Sequence, residues 1–218
     1  MDDKNLVWTR GKKTELLKTP VLNVTTIEST ASDGLKGDYI VMDAPDWVIV
    51  IPDAGETFLL VKQWRHGENA LSIEFPGGVI EPNEAPEAAA ARELKEETGF
   101  VAGRLVKLGA MNPNPALMSN HVHVFAAFDL QPTGKQHLDE DEYVHYFELP
   151  KKEVYAKMGT KEFPHALMSA GLSLYREYAR DIKDIPYDRY NKGLKRWYQG
   201  DVYACRCDEK GKRLDRQG

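Results

Sequence analysis

A short charged segment near the middle of the chain limits the possible folds more than any other feature. Residues 92–99 read Arg-Glu-Leu-Lys-Glu-Glu-Thr-Gly, and a helix would bring Glu93, Glu96 and Glu97 together because residues three and four apart share a face. Two glutamates about 6 Å apart repel by roughly 2–3 kcal/mol at an effective dielectric of about 20. The cluster is therefore costly unless a cation lies among the carboxylates. Hard divalent ions such as Mg²⁺ take oxygen ligands of this kind, so the segment predicts a metal-binding helix for phosphate chemistry.

The residues around this segment favour a packed helix, although charge-rich helices usually present a solvated face. Ala88–Ala91 and Leu94 supply an apolar side, which makes the helix amphipathic. Pro86 suits the first turn, with Asn83 expected as the N-cap, and Gly99 suits the position just past the helix end. The sequence therefore predicts a helix that begins near Pro86 and stops at Gly99.

A longer pattern contains both this helix and the loop before it. Residues 78–100 match G-x5-E-x7-R-E-U-x-E-E-x-G-U, with U a bulky apolar residue, at all nine constrained positions. This pattern is the Nudix box, and the chain resembles the Nudix superfamily, whose enzymes hydrolyse nucleoside diphosphates linked to another group with Mg²⁺ or Mn²⁺. The resemblance implies an α+β fold, an α/β/α sandwich with a mixed β-sheet between helices.

The resemblance also implies roles for individual residues. The predicted metal ligands within and just before the box are Gly77 (through its carbonyl), Glu93, Glu96 and Glu97, and Glu96 and Arg92 belong to the predicted catalytic set. Arg92 and Glu84 are expected to pair and to hold the loop against the helix; the alternative is a surface salt bridge of little energetic value. Pro76-Gly77-Gly78 provides a backbone that can approach a ligand closely.

The region before the box looks like that of ADP-ribose pyrophosphatases. The segments concerned are Val61–Arg65 and 72–78. In that subfamily an arginine at the place of Arg65 reaches the substrate phosphates, which a guanidinium fits well, and an acidic residue at the place of Glu74 lies near the site. The alternatives are a surface cation for Arg65 and a partner of a buried cation for Glu74.

Two further features downstream of the box bear on the site. Pro115 stands fifteen residues past the box, a mark of the ADP-ribose subfamily, and is predicted to contact substrate. Its loop departs from the Ser-Pro-Gly turn of many such enzymes, so it is either a pocket wall or an ordinary connector.

The acidic tract 138–143 resembles a Glu-x-Glu loop, which implies Glu140 as the catalytic base and Glu142 as a metal ligand; the alternative is a solvated acidic loop.

Composition excludes several other classes. The formal charge of −5 gives no general attraction to nucleic acid or to anionic membranes. No apolar run is long enough to span a membrane, and the first residues lack a secretory pattern. The only cysteines, Cys205 and Cys207, suit a reducing compartment, so we expect a cytoplasmic protein.

Periodicity predicts a chain with a mostly β front half and two principal helices. Three segments are expected: 1–45 with N-terminal strands, 46–182 as the Nudix domain, and 183–218 as a basic, aromatic extension. That extension packs across the domain or, alternatively, binds single-stranded nucleic acid. The predicted strands lie within 13–30 (Pro20–Ile27 among them), 37–44, Trp47–Pro52, Phe58–Trp64, 72–75, Leu105–Met111, Val122–Phe128 and Tyr143–Leu149, and the second helix runs from about Pro164 to Asp181.

The expected activity is hydrolysis of the diphosphate bond of ADP-ribose or a related nucleoside diphosphate sugar. Alternatives that stay open are GDP-mannose, UDP-glucose, dinucleotide or RNA-end hydrolysis, and a non-catalytic domain that senses such ligands. The resemblance also implies a homodimer formed through the N-terminal strands.

Overall fold

The computed structural model describes residues 3–138 and 142–181. Within these ranges the chain forms nine strands, three α-helices and one 3-10 helix. In chain order they are the 3-10 helix Asp3–Leu6, β1 Trp8–Lys18, β2 Asn23–Ala31, β3 Lys36–Asp43, β4 Trp47–Pro52, β5 Thr57–Arg65, β6 Ala70–Glu74, α1 Pro86–Thr98, β7 Phe100–Met111, β8 Val122–Pro132, β9 His145–Pro150, α2 Lys151–Lys157 and α3 Ala166–Asp181. The strands form three sheets of order β1-β2-β3, β4-β8-β7 and β6-β5-β9.

Strand β4 is buried along almost its whole length, and helices lie on both sides of its sheet. Its pairing with β8 is parallel, whereas β7 pairs with β8 in antiparallel fashion, so this sheet is mixed. Successive side chains of a strand point to opposite faces. One face joins α1 in a core cluster of Val48, Val50, Ile80, Ala89, Ala90, Leu94, Phe125 and Ala127.

The opposite face of β4 lies against α3. A Cβ added at Gly171 would lie 3.7 Å from Ile51 and 3.9 Å from Ile49, which is ordinary van der Waals contact, so this part of α3 packs on the strand. Helix α1 therefore packs on one face of the sheet and α3 on the other, and the three layers form an α/β/α sandwich. The predicted α+β class and mixed sheet are confirmed, as is the small apolar side of the box helix.

The predicted N-cap of α1 is wrong. The N-cap residue is Ala85, which makes no side-chain capping bond, and Asn83 lies two positions earlier with φ of 68°. The Glu84 amide donates to the Glu81 carbonyl at 3.0 Å, so Pro82 and Asn83 occupy the central positions of a turn. Pro-Asn with a positive φ at the second position is typical of a type II turn. The end of the helix is as predicted, because Gly99 is left-handed with φ of 70°.

Other boundaries differ from the predictions for local reasons. Strand β2 begins at Asn23 and not at Pro20, because the Leu22 amide donates to Thr19 Oγ1 at 3.0 Å and closes a turn there. Strand β7 begins at Phe100, directly after Gly99 reverses the chain, and so is longer than predicted. Helix α2 has only seven residues and was not predicted. The predicted boundaries at 45/46 and 182/183 stay predictions.

The N-terminal sheet is an antiparallel meander with an exposed outer strand. All eleven residues of β1 are exposed. The sheet is connected to the loop after β7 through Asp43, which accepts a hydrogen bond from Ser119 Oγ at 2.8 Å and pairs with Lys13 at 2.7 Å. In the described part of the chain, no helix combines the length and the apolar character needed to cross a membrane.

Candidate active site

Two adjacent glycines bring the backbone against α1. The Val48 amide donates to the Gly78 carbonyl at 2.9 Å, so this segment runs alongside β4. A Cβ at Gly77 would lie 2.2 Å from the Val48 carbonyl oxygen, and one at Gly78 would lie 2.4 Å from Glu93 Oε1. Neither position can hold a side chain without displacing its neighbours. The glycine backbone therefore lies closer to the box carboxylates than it could if either residue carried a side chain.

Glu97 is the most deeply buried carboxylate of the box. Its residue is 3% exposed, and Oε2 accepts a hydrogen bond from the Gly77 amide at 2.8 Å. Burial raises the pKa of Glu97 to about 8; the Gly77 amide and Arg65 oppose this, and the charges of Glu93 and Glu142 add to it. A carboxylate in this position has a strong electrostatic preference for a nearby cation.

Arg92 organises the remaining carboxylates of the box. Its Nε and Nη2 donate to the two oxygens of Glu84, both at 2.9 Å, and Nη2 also donates to the Val79 carbonyl. Its Nη1 donates to Glu93 at 2.9 Å and to Glu96 at 3.0 Å. The Arg92–Glu84 pair was predicted and is present in this structure. Because the two side chains are only 26% and 15% exposed, the alternative of a weak surface salt bridge does not apply.

The box carboxylates do not form a ready-made metal cluster. Within residues 3–138 and 142–181, no three His, Cys, Asp or Glu side chains are placed to hold a metal ion as they stand. Arg92 holds Glu93 and Glu96, whereas Glu97 turns to the Gly77 amide. The predicted convergence of all three glutamates is therefore incomplete in this arrangement.

The donor set nevertheless fits a hard divalent cation. Burial raises the pKa of Glu93, with contributions from Glu96 and Glu142 that the neighbouring Arg92 opposes. Several buried carboxylates that raise one another's pKa lower their energy when a divalent ion with oxygen ligands lies among them. Glu142 acts electrostatically on both Glu93 and Glu97, which is consistent with its predicted place at the site.

Arg65 and Glu74 form a bidentate pair at the far side of the same region. Arg65 Nε donates to Glu74 Oε1 at 2.9 Å, and Nη2 donates to Oε2 at 2.6 Å. The Glu74 side chain is fully buried, whereas that of Arg65 is 42% exposed. Burial works to raise the pKa of Glu74, but the hydrogen bonds and charge of Arg65 outweigh it and hold the pKa below the usual value. Glu74 is thus a fixed partner that orients the arginine.

The Arg65–Glu74 pair and the two glycines border an open cleft of about 430 Å³, a volume typical of small-molecule sites. Arg65, Glu74, Gly77 and Gly78 line one part of it. The start of α3 lines another part through His165, Leu167 and Met168, and the remaining wall includes Ser72, Trp47, Val79 and Val122. The cleft therefore runs from the backbone in contact with the box carboxylates, past Arg65, to the first turn of α3.

The other predicted site residues have different outcomes. Pro115 lies in an exposed turn and does not line the cleft, so its predicted substrate contact is not supported by its position here. Glu140 lies outside the described residues, as does the extension 183–218.

Sequence reasoning missed two residues that line the cleft, Ser72 and His165. Because the predicted second helix began at about Pro164 and so included His165, no capping signal was recognised there; the helix begins at Ala166.

Comparison with known proteins gives a consistent result. A model of the NUDIX domain family matches residues 42–168, more than half of the chain. The chain is 36% identical over 116 residues to "ADP-ribose pyrophosphatase" of Bacillus subtilis, which covers 53% of this chain and 62% of that protein. It is 26% identical over 162 residues to "ADP compounds hydrolase NudE" of Escherichia coli, covering 73% of this chain and 87% of that protein.

Two more similarities extend over most of the chain. It is 31% identical over 163 residues to "ADP-sugar pyrophosphatase" of Mus musculus, covering 69% of this chain and 71% of that protein. A solved structure, "Crystal structure of ADP compounds hydrolase", superimposes with a TM-score of 0.73 at 25% identity and covers 82% of this chain and 97% of the other. The box geometry, the sandwich and these matches agree with the prediction from the sequence: the chain belongs to the Nudix family of pyrophosphohydrolases.

Proposed function

We propose that this chain hydrolyses the diphosphate bond of ADP-ribose or a related nucleoside diphosphate sugar and releases a nucleoside monophosphate and a sugar phosphate. Relatives named for ADP-ribose, ADP compounds and ADP sugars support this substrate class. The observation that carries the proposal is the cleft, in which Arg65 lies beside the glycine backbone that touches Glu93 and Glu97. A guanidinium next to a carboxylate cluster suits a diphosphate and the cations that accompany it.

We propose that activity depends on Mg²⁺, with Mn²⁺ as a possible substitute. Glu93, Glu96 and Glu97 would hold the ion, with Glu142 and the Gly77 carbonyl as further ligands. A bound divalent ion supplies charge neutralisation at phosphate oxygens and lowers the pKa of water. The support in this structure is the set of mutually repelling carboxylates, whose charge is compensated only in part by Arg92, Arg65 and the Gly77 amide.

The chain's own residues would then position the substrate. Glu74 occupies Nε and Nη2 of Arg65. This pairing fixes the plane of the guanidinium and leaves Nη1, which has no hydrogen-bond partner among the described residues, to donate to a phosphate oxygen. Arg92 holds Glu93 and Glu96 close together while keeping the loop at Glu84 against α1. Glu140 remains our proposed base for the attacking water, by resemblance alone.

We also propose a cytoplasmic homodimer. The outer strand β1 is exposed along its whole length, and Leu16, Leu17, Tyr39 and Ile40 of the N-terminal sheet are exposed apolar residues. A second copy of the chain would cover this surface. Light scattering coupled to size exclusion would measure the mass, and a monomeric mass at micromolar concentration would contradict this part of the proposal.

A substrate panel tests the activity. ADP-ribose, ADP-glucose, GDP-mannose, UDP-glucose, a diadenosine polyphosphate and a 5′-triphosphate RNA would be incubated with the protein and Mg²⁺ or Mn²⁺. Phosphate released after phosphatase treatment reports cleavage of the compounds that have no terminal phosphate, and release of pyrophosphate reports cleavage of the RNA. We expect the ADP sugars to have the highest kcat/KM and Glu97→Gln to abolish the signal. Binding of ADP-ribose without cleavage would instead indicate a sensor, and preference for another compound would reassign the substrate.

A further inference from the structure

The first turn of α3 presents a side chain with a defined hydrogen-bonding state to the cleft. His165 precedes Ala166, the first residue of α3, and its Nδ1 accepts a hydrogen bond from the Leu167 amide at 3.2 Å. Its carbonyl accepts from the Met168 amide at 3.1 Å. His165 therefore caps the helix in the way that Asn or Ser usually does. Because Nδ1 must be unprotonated to accept, the ring proton of the neutral imidazole lies on Nε2.

The surroundings of His165 favour this neutral form. Burial lowers its pKa below the usual 6.5, Arg65 acts in the same direction, and only Glu74 opposes them. Nε2 makes no hydrogen bond within the described residues, and His165 lines the cleft. The ring thus offers a single uncharged N–H donor close to Arg65 and Glu74.

A second polar group in the cleft also lacks a partner. Ser72 is 0% exposed and its Oγ makes no hydrogen bond of acceptable geometry within the described residues. Ser72 lies two residues before Glu74 on the same face of β6, and an interaction of its hydroxyl with that carboxylate helps to lower the carboxylate's pKa. Arg65 also donates to both oxygens of Glu74. A buried hydroxyl without a proper partner costs free energy, so a ligand atom is expected to complete it.

We propose that His165 Nε2 and Ser72 Oγ form a subsite that binds the hydroxyl groups of a sugar adjoining the diphosphate. This inference rests on the proposed function, because Arg65 and the Gly77–Gly78 backbone locate the diphosphate. In a nucleoside diphosphate sugar the group attached to either phosphate is a sugar, so the residues next to Arg65 meet sugar hydroxyls. A neutral N–H donor and a hydroxyl that both donates and accepts suit such groups, whereas a further phosphate would favour a cationic side chain.

Substitutions at His165 separate substrate binding from helix capping. Asparagine caps helices well, but its shorter side chain does not carry a donor as far as imidazole Nε2 does. We expect His165→Asn to keep the parent's melting temperature and to raise KM for ADP-ribose about 3- to 10-fold, the range of one lost hydrogen bond. We expect His165→Ala to show the same rise in KM together with a lower melting temperature, because the cap is also lost.

Ser72→Ala provides an independent variant. Because Oγ has no proper partner in the free protein, its removal should leave the melting temperature unchanged or raised while KM rises by a similar factor. Ser29→Ala is the matched control, since Ser29 is a buried serine of the N-terminal sheet that does not line the cleft. It should change neither KM nor product binding.

Product binding identifies which sugar is held and does not depend on turnover. Calorimetry would measure ribose 5-phosphate and AMP binding to the parent, His165→Asn and Ser72→Ala. Weaker binding of ribose 5-phosphate alone places the terminal sugar at the subsite; weaker binding of AMP alone places the nucleoside ribose there. Unchanged binding of both products in both variants, or no binding of either to the parent, overturns the subsite. A parent that binds them but cleaves no nucleoside diphosphate sugar refutes the proposed function alone.

Discussion

Glu74 and Glu97 are both buried glutamates at the same cleft, yet their electrostatic situations are opposite. Glu74 has a bidentate arginine partner, which holds its pKa below the usual value. Glu97 accepts from a backbone amide, lies near two carboxylates and feels Arg65 only through its charge, and burial raises its pKa to about 8. Two glutamates at similar burial thus differ: Glu74 forms an ion pair with an arginine, whereas Glu97 forms none within the described residues and would be stabilised by a bound cation.

This difference separates a positioning role from a ligand role. A buried charge that is paired and hydrogen-bonded within the protein is part of the folded framework, and removing its partner is destabilising. A buried carboxylate that has no ion-pair partner destabilises the free protein, and its free energy falls most when a metal ion binds. The comparison therefore predicts that substitution of Glu97 affects activity, whereas substitution of Glu74 affects stability as well.

The largest effect is expected for Glu97→Gln. The neutral amide keeps the shape and can still accept from the Gly77 amide, so the melting temperature without divalent ions should not fall. Turnover of ADP-ribose with Mg²⁺ should drop about 10³-fold, equivalent to about 4 kcal/mol of lost transition-state stabilisation. Mg²⁺ should raise the melting temperature of the parent more than that of the variant. Parent-like turnover in the variant would show that Glu97 does not act as a ligand.

A smaller but still large effect is expected for Gly78→Ala. The new Cβ would lie 2.4 Å from Glu93 Oε1, so the carboxylate must move away from its place beside Arg92. We expect kcat/KM to fall about 10²-fold, or about 3 kcal/mol. The matched control is Gly67→Ala, because Gly67 also borders the cleft but its added Cβ would have no atom within 4 Å. Equal losses in the two variants would contradict a steric effect on Glu93.

Glu74→Gln tests the paired side of the comparison. We expect about tenfold lower kcat/KM, because Arg65 loses its fixed orientation, and a free energy of unfolding lower by about 1–3 kcal/mol at neutral pH. The half-exposed guanidinium keeps part of its hydration, which limits the loss.

The pH dependence of this stability loss follows from the lowered pKa of Glu74. A lowered folded-state pKa gives stability above the unfolded value of 4.5, and that stability is lost as pH falls through the folded-state pKa. Urea unfolding of parent and variant should therefore differ at about pH 7, and the difference should shrink as pH falls below 4.5 and through the lowered folded-state pKa. A gap that stays constant with pH would show that the ion pair is not its source.

The smallest effect is expected for Arg92→Lys. An ammonium cannot reproduce the fork that joins Glu84, the Val79 carbonyl and the two box glutamates. One ion pair can still form, so we expect kcat to fall only about three- to tenfold, or about 0.7–1.4 kcal/mol. A steady-state assay with Mg²⁺ in excess would measure it, and Arg92→Ala should lose more. Equal effects of lysine and alanine would show that the positive charge contributes nothing.

The sequence predicted the features that depend on short spacing along the chain. The box helix, its end at Gly99 and the Arg92–Glu84 pair follow from contacts within a few residues or across one loop. The N-cap at Asn83 was wrong because Pro82 and Asn83 satisfy a turn of their own, a competing local preference that the capping rule does not weigh. Helix α2 was missed because seven residues give too little periodicity.

What the sequence by itself determined is which residues can carry the chemistry: the box glutamates, the two glycines and Arg65. Only the tertiary structure decided their states. Arg65 reaches Glu74 on the neighbouring strand β6, although the register places Arg65 opposite Ala70. Burial raises the pKa of Glu97, and His165, just before α3, borders a cleft whose other wall lies about ninety residues earlier in the chain. Burial and sheet register depend on contacts between distant segments, and no local pattern contains that information.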